Sequence, residues 1–181
     1  MLRIKVPAHE VYDESKNEFV EIKEQTLIME HSLISISKWE AKWHKPYLSN
    51  SEKTSEEVFD YLRCMTIQPS NVDPNVYRCL TSENVEEISN YIKDPMTATT
   101  ISHFGRTASR EVLTSEVIYY YMIAQNIPVE FEKWHINRLI TLIEVCAIKN
   151  NPKQKKMSRS EIAKQNRAIN KARRAKYGTR G

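Results

Sequence analysis

The sequence predicts an α+β fold that is mainly α, with a small N-terminal antiparallel β hairpin or meander, then a helical bundle and a basic C-terminal helix. Apolar and charged residues alternate with a period of two through the first thirty residues, which is typical of strands. From residue 32 onwards, helix caps precede apolar residues at helical spacing. We therefore predict a folded domain over 1–152, β-rich over 1–30 and α-helical over 32–150, followed by a basic arm over 153–181.

The strands are predicted from three stretches, LRIKV, EFVEI and TLIME, with the polar turn DESKN before the second of them. In the first stretch Leu2, Ile4 and Val6 alternate with positive charges. In the second, Phe19 and a further apolar residue alternate with negative charges. The pattern predicts a small antiparallel sheet with one face on the core.

The first helices are predicted from their N-terminal caps. Ser32 can cap the stretch LISISKWEAKWH, which Pro46 ends, although the alternation of Ile and Ser in ISIS leaves a strand extension as an alternative. Thr54 and Glu57 form a capping box before VFDYLRCMTI. Asp73 followed by proline predicts a short helix that continues to Leu80.

The second half of the domain is predicted to supply the centre of the core. TSENVEEISNYIKD is a predicted helix, and 94–110 is predicted as a long loop or a short helix. Two further helices, SREVLTSEVIYYYMIAQN and VEFEKWHINRLITLIEVCAIK, are joined at NIP. The second of these is apolar on most faces over 136–148, which is typical of a helix buried all round. The predicted core residues are Trp39, Trp43, Leu139, Leu142, Ile143 and Cys146.

Several classes of protein are disfavoured by composition. With three glycines and neither G-x-G-x-x-G nor G-K-[ST], the sequence lacks the usual nucleotide-binding loops. No two of the five histidines have a metal-ligand spacing, and no C-x-x-C pair is present. We therefore predict a protein that is not an enzyme, with no catalytic, cofactor or metal site and with reduced cysteines. No run of about 18 apolar residues and no apolar signal region occur, so neither a membrane span nor secretion is expected.

Charge divides the chain into an acidic body and a basic end. Residues 1–148 carry 15 basic and 22 acidic side chains, whereas 149–181 carry 12 basic and one acidic. Ser158 and Glu161 form a capping box for a helix that ends at Gly178. Its apolar stripe is only Ile162 and Ile169 with several alanines, so we predict a helix that becomes ordered on a partner.

Three interpretations of the basic arm remain open. It is a solvated tail, it binds nucleic acid by neutralising phosphates, or it docks on an acidic or coiled-coil protein surface, including an acidic face of a second copy in a homo-oligomer. Tyrosines in VIYYYMIAQ offer apolar area with a hydroxyl, as interface residues do. The predicted partner-binding residues are Tyr119, Tyr120, Arg159, Lys164, Arg167, Lys171, Arg173, Arg174 and Lys176.

Four stretches of the sequence resemble a family of small proteins of tailed bacteriophages. They are LIMEHSLISISKWEAKWHKPYL, DPMTATTI, SREVLTSEVIYYYMIAQNIPVEFEKWHINRLITLI and KKMSRSEIAKQNRAINKARRAKYGTRG. These proteins are encoded among structural and tail genes and are often labelled tail assembly chaperone. The resemblance covers about residues 20–181. It implies a protein of the host cell cytoplasm that keeps the phage tape-measure protein soluble during tail assembly. The alternatives are a virion structural or connector protein, whose arm contacts neighbouring subunits or DNA, and a nucleic-acid-binding regulator.

Overall fold

The computed structural model describes residues 1–13, 17–101, 111–150 and 159–177. These residues divide into two compact units, Met1–Ala147 and Ile148–Gly181. The predicted fold class is confirmed, since N-terminal antiparallel strands are followed by helices and the whole is mainly α.

Two small antiparallel sheets are present among the described residues. β1 (Leu2–Val6) pairs with β4 (Gln25–Met29), and β2 (His9–Asp13) pairs with β3 (Glu18–Ile22). β5 (Thr66–Gln68) adds to the other side of β4, which gives the strand order β1-β4-β5. Three of the four N-terminal strands were predicted. β2 was not predicted, and β5 lies inside the region predicted to be helical.

The alternation of apolar and charged residues leads to different burial in the two sheets. Leu2, Ile4 and Val6 of β1 are buried, as their pattern predicts. Phe19 of β3 is 72% exposed, and its ring lies 5.2 Å from that of Tyr12 on the paired strand. The two aromatic rings therefore cover each other across the strands on the exposed face of the hairpin, while Ile22 of β3 is buried in the core.

The first two helices begin at the predicted caps. α1 (Leu33–Trp43) starts where the Ser32 hydroxyl accepts a hydrogen bond from the Ser35 amide, so the alternative of a strand extension is wrong. α2 (Ser55–Met65) starts at Thr54, and both bonds of its capping box with Glu57 are present. α1 ends before Pro46, because His44 adopts the left-handed conformation and its amide closes on the Glu40 carbonyl.

α2 ends two residues earlier than the sequence pattern predicts. The Glu30 amide donates to the Met65 carbonyl, and the chain continues as β5. A pairing with a strand about 40 residues upstream therefore overrides the local helical pattern in MTI. A short 3-10 helix, Pro74–Cys79, follows and begins at Asp73 as predicted.

The remaining helices of the first unit are α3 (Ser82–Lys93), α4 (Ser115–Ala124) and α5 (Ile136–Asn150). α4 is shorter than predicted because Thr114 caps it five residues after the predicted start. The stretch predicted as one helix from Val129 is a 3-10 helix, Val129–Lys133, and then α5. Trp134 is extended between them. The Ile136 amide donates to the His31 carbonyl, and not to the carbonyl four residues before it as in a continuous helix.

α5 is buried on one stripe, so the prediction of a helix buried all round is wrong. Ile136, Leu139 and Ile143 are the buried residues, at helical spacing. Leu142 and Cys146 are half-buried. Of the other predicted core residues, Trp39 is buried, while Trp43 is half-buried with its indole N–H on Asp60.

Hydrogen bonds of buried polar groups join the helices of this unit. Glu40 of α1 accepts hydrogen bonds from the amides of Tyr47 and Ser115, each at 2.7 Å. Trp39 donates its indole N–H to the Glu57 carbonyl at 2.8 Å. These bonds satisfy polar groups that would otherwise be costly to bury, and they fix α1 against α2 and α4.

The second unit contains α6 (Arg159–Tyr177), which realises the predicted basic helix. Its predicted cap at Ser158 and its predicted end at Gly178 lie outside the described residues, as does the predicted helix stop at Pro152. Within α6, Ile162 is 44% exposed and Ile169 is half-buried.

Candidate functional site

A continuous row of aromatic and imidazole rings crosses the core of the first unit. Neighbouring ring centroids are 3.7–6.2 Å apart along the row. α1, α2, α3 and the start of α5 each contribute to it. The rings are, in spatial order, Trp43, Trp39, Tyr47, Tyr61, His31, His135 and Tyr91.

Hydrogen bonds hold both histidines of this row in place, and those of His135 fit a neutral ring. His135 Nε2 donates to the Tyr91 carbonyl at 3.0 Å, and its Nδ1 accepts from the Asn137 amide at 3.3 Å. One ring nitrogen is therefore a donor and the other an acceptor, which is the neutral form. His31 Nδ1 is hydrogen-bonded to the Tyr61 hydroxyl.

Burial disfavours a positive charge on either ring. Burial, together with a smaller effect of the neighbouring His135, lowers the pKa of His31 from 6.5 to about 3. Burial also lowers the pKa of His135, against the opposing hydrogen bond to the Tyr91 carbonyl. The Tyr61 pKa is raised by burial. The pair therefore forms a neutral, hydrogen-bonded junction between β4, α2, α3 and α5.

Next to His135 a cleft of about 630 Å³ opens to solvent. We name it the Trp134 cleft. Glu30, Ser32, Ser35 and His135 are its buried lining residues, and Lys38, Lys133 and Arg138 are exposed ones. The other lining residues are Met1, Ile34, Cys64, Thr66, Ile67, Tyr91, Met96 and Trp134.

Glu30 is the one carboxylate among the described residues that line the cleft, and both of its oxygens have partners. The Tyr91 hydroxyl donates to Glu30 Oε1 at 2.6 Å, and the amino group of Met1 lies 3.0 Å from Oε2. Burial and this hydrogen bond both raise the pKa of Tyr91, so it stays a donor. Burial raises the pKa of the Cys64 thiol, which therefore has little thiolate character.

The three successive tyrosines of α4 have different environments. Tyr119 packs against the core and donates its hydroxyl to Glu132 at 2.8 Å, while Tyr121 donates to Glu111 at 2.6 Å. Tyr120 is 65% exposed, and Ile123, one turn further on, is 76% exposed. Of the two tyrosines predicted to bind a partner, Tyr120 is therefore on the surface, and Tyr119 is half-buried and hydrogen-bonded.

The basic side chains of α6 form a stripe along one face. Lys164, Arg167, Lys171 and Arg174 are exposed and follow one another at spacings of three and four residues. At 3.6 residues per turn these four lie on one face, roughly opposite Ile162 and Ile169. Arg159 is also exposed. The side chains of Arg173 and Lys176 lie outside what the structure describes.

Within the described ranges, no group of three or more His, Cys, Asp or Glu side chains is placed to hold a metal ion. None of the helices there combines the length and apolar character needed to cross a bilayer. In comparisons with known proteins, no family model, no curated protein and no solved structure matches the chain.

Sequence reasoning missed the ring row and the Trp134 cleft. Their key members, Glu30, His31, Tyr91 and His135, come from three distant parts of the chain. The histidines were tested for short-range ligand spacings, which cannot reveal a contact between residues about 100 positions apart. A local signal was present at one end of this contact, since His31 directly precedes Ser32, the N-cap of α1.

Proposed function

We propose that the protein is a non-enzymatic phage morphogenesis protein, a tail assembly chaperone that binds the tape-measure protein in the host cell cytoplasm. The resemblance to the phage family supports this proposal. The observation that carries it is the apolar surface of α4, where Tyr120 and Ile123 are 65% and 76% exposed and one turn apart. Adjacent exposed apolar side chains of this size are typical of a surface that another chain covers.

The α4 surface suits a helical partner with an apolar stripe. Residues three apart on a helix are neighbours, so Tyr120 and Ile123 present a ridge that a second helix can pack against. A tape-measure protein is a long helical chain whose apolar stripes need covering before the tail tube forms around it. α4 thus provides a contact surface for a helical partner, and its use requires no rearrangement of the core.

The size of this surface fits a client that has to be released. Full burial of one large apolar side chain contributes about 1.5–3 kcal/mol, and association and side-chain ordering oppose it. Two anchors therefore give weak, reversible binding at each point of contact. The cationic stripe of α6 can add charge pairing with acidic residues of the client, and this part of the binding weakens with salt.

The proposal predicts that the double variant Tyr120→Ser, Ile123→Ser loses the chaperone activity. Because both anchors are removed, client binding should weaken about a hundred-fold. The measurement is the soluble fraction of the tape-measure protein encoded by the same phage, when it is co-expressed with each variant. Wild type should raise that fraction, and the double variant should leave it at the level of the client alone.

Val85→Ser is the matched control, because Val85 is a 52% exposed aliphatic residue on a different helix, α3. It should behave as wild type, and circular dichroism should show the same helix content for all three proteins. If wild type does not solubilise the client, the proposed function is wrong. If the double variant equals wild type, α4 is not the client surface.

A virion structural or connector protein is the second candidate, favoured by the exposed cationic stripe of α6. Such a stripe can contact phosphates of packaged DNA or acidic faces of neighbouring subunits. The two candidates differ in where the protein is found after assembly. We expect mass spectrometry of purified particles to lack its peptides while detecting the tape-measure protein, and a fixed copy number in particles would favour the virion component.

A further inference from the structure

Three cationic side chains of the Trp134 cleft, Lys38, Lys133 and Arg138, have no acidic partner within the described residues. Ion pairs elsewhere in the first unit join Lys5 to Glu24, Lys42 to Asp60 and Lys45 to Glu57. No ion pair of this kind involves Lys38, Lys133 or Arg138 among the described residues. Residues 1–148 hold 22 acidic and 15 basic side chains, so three unpaired cations around one cleft run against the charge of the unit.

Two carboxylates close to the cleft have partners other than these cations. Glu30 is engaged by the Met1 amino group and the Tyr91 hydroxyl. Asp60 is engaged by Lys42, Arg63 and the Trp43 indole. The exposed margin of the cleft therefore carries a net positive charge that is complementary to carboxylates from outside.

Between these cations the cleft offers an apolar wall. Trp134 is stacked on Phe131 with ring centroids 4.1 Å apart, and the Arg138 guanidinium lies 4.0 Å from its ring. These two contacts hold the indole in place. Ile34 and Ile67 also line the cleft, and Ile67 is 50% exposed at the edge strand β5.

We propose that the Trp134 cleft binds an acidic segment of a partner polypeptide that carries apolar side chains between its carboxylates. The apolar side chains contact Trp134, Ile34 and Ile67, and the flanking carboxylates pair with Lys38, Lys133 and Arg138. A volume of about 630 Å³ is within the range of sites that hold a ligand of a few side chains. This surface is separate from the exposed pair on α4, so the proposal does not rest on the proposed function.

The test is a titration of the full-length, isotope-labelled protein with the blocked hexapeptide Glu-Glu-Leu-Phe-Glu-Glu, followed by NMR at about 50 mM salt. The chain has three indole N–H groups, and those of Trp39 and Trp43 are bonded to Glu57 and Asp60. The Trp134 indole signal, assigned with Trp134→Phe, therefore reports on the cleft, even though an acidic peptide can also contact the basic α6. We expect this signal to shift and the other two to stay in place.

Charge and apolar anchors are separated by matched peptides and variants. Gln-Gln-Leu-Phe-Gln-Gln and Glu-Glu-Gly-Ser-Glu-Glu should each bind much more weakly at the Trp134 signal. Lys38→Glu and Arg138→Glu should weaken the binding of the first peptide about ten-fold each, because attraction is replaced by repulsion. Lys23→Glu, an exposed cation that does not line the cleft, should leave binding at the Trp134 signal unchanged.

Three results would overturn the proposal. An unmoved Trp134 signal at saturating acidic peptide means that the cleft binds no such segment. Equal binding of the glutamine peptide means that charge does not select the occupant. An equal shift with inorganic phosphate, or with the peptide that lacks Leu and Phe, means that the cleft takes small anions without an apolar anchor.

Discussion

Replacing Leu139 with alanine is expected to lower the free energy of unfolding by about 2–5 kcal/mol. Leu139 is fully buried in the first turn of α5, in the same core cluster as Trp39 and Ile36. The change removes buried methyl and methylene groups and leaves a cavity that the surrounding helices can only partly fill. Urea denaturation at pH 7, with the midpoint and slope compared with those of wild type, measures the loss.

Leu142→Ala is the matched control, because it makes the same chemical change on the same helix at a half-buried position. We expect a loss well below that of Leu139→Ala, since less apolar area leaves water at this site. Equal losses for the two variants would mean that α5 is buried all round, as its apolar sequence predicts, and that the stripe of Ile136, Leu139 and Ile143 is not its main contact.

Acidification is expected to destabilise the protein through His31. Its pKa is 6.5 when unfolded and about 3 when folded, so the unfolded chain binds the proton more readily. The contribution of the neutral ring to stability is fully present above pH 6.5 and is lost as the pH falls towards 3. Between pH 6.5 and pH 5 the loss should reach about 2 kcal/mol, and His135, whose pKa is also lowered, acts in the same direction.

Urea midpoints at pH 7 and pH 5 test this expectation. His31→Gln keeps a neutral polar side chain beside Tyr61 but cannot take up a proton in this range, so its stability should depend less on pH than that of wild type. His9→Gln, at an exposed histidine on β2, should retain the wild-type dependence. If His31→Gln and wild type lose the same stability between these pH values, the buried histidine is not the origin of the acid sensitivity.

Local signals in the sequence predicted the starts of the helices well. Ser32, Thr54 and Asp73 cap the elements that their side chains predict, because a cap is a bond between residues two or three positions apart. The alternation in β1 was equally informative, since its face on the core is determined within five residues. These features are determined by contacts and backbone geometry within a few residues, so they do not depend on the rest of the fold.

Features that depend on distant residues were not predictable in this way. β5 was read as the end of a helix, because only its pairing with β4 makes MTI leave the helical conformation. From the apolar run in α5 we predicted a larger buried face than the structure has, because periodicity cannot tell which apolar residues contact another element. The Trp134 cleft likewise exists only after β4, α3 and α5 have come together.

The contact between the His31 and His135 segments determines which parts of the chain fold late. The Ile136 amide bonds to the His31 carbonyl, and Ser32 pairs with His135, so this contact joins residues more than one hundred positions apart. Closing a loop of that length costs about 4 kcal/mol of chain entropy, whereas α1 and α2 are neighbours along the chain. On the ribosome, α1 and α2 can therefore pair early. Until α5 has emerged from the exit tunnel, the contact of His31 and Ser32 with the start of α5 cannot form, and this part of the core stays incomplete.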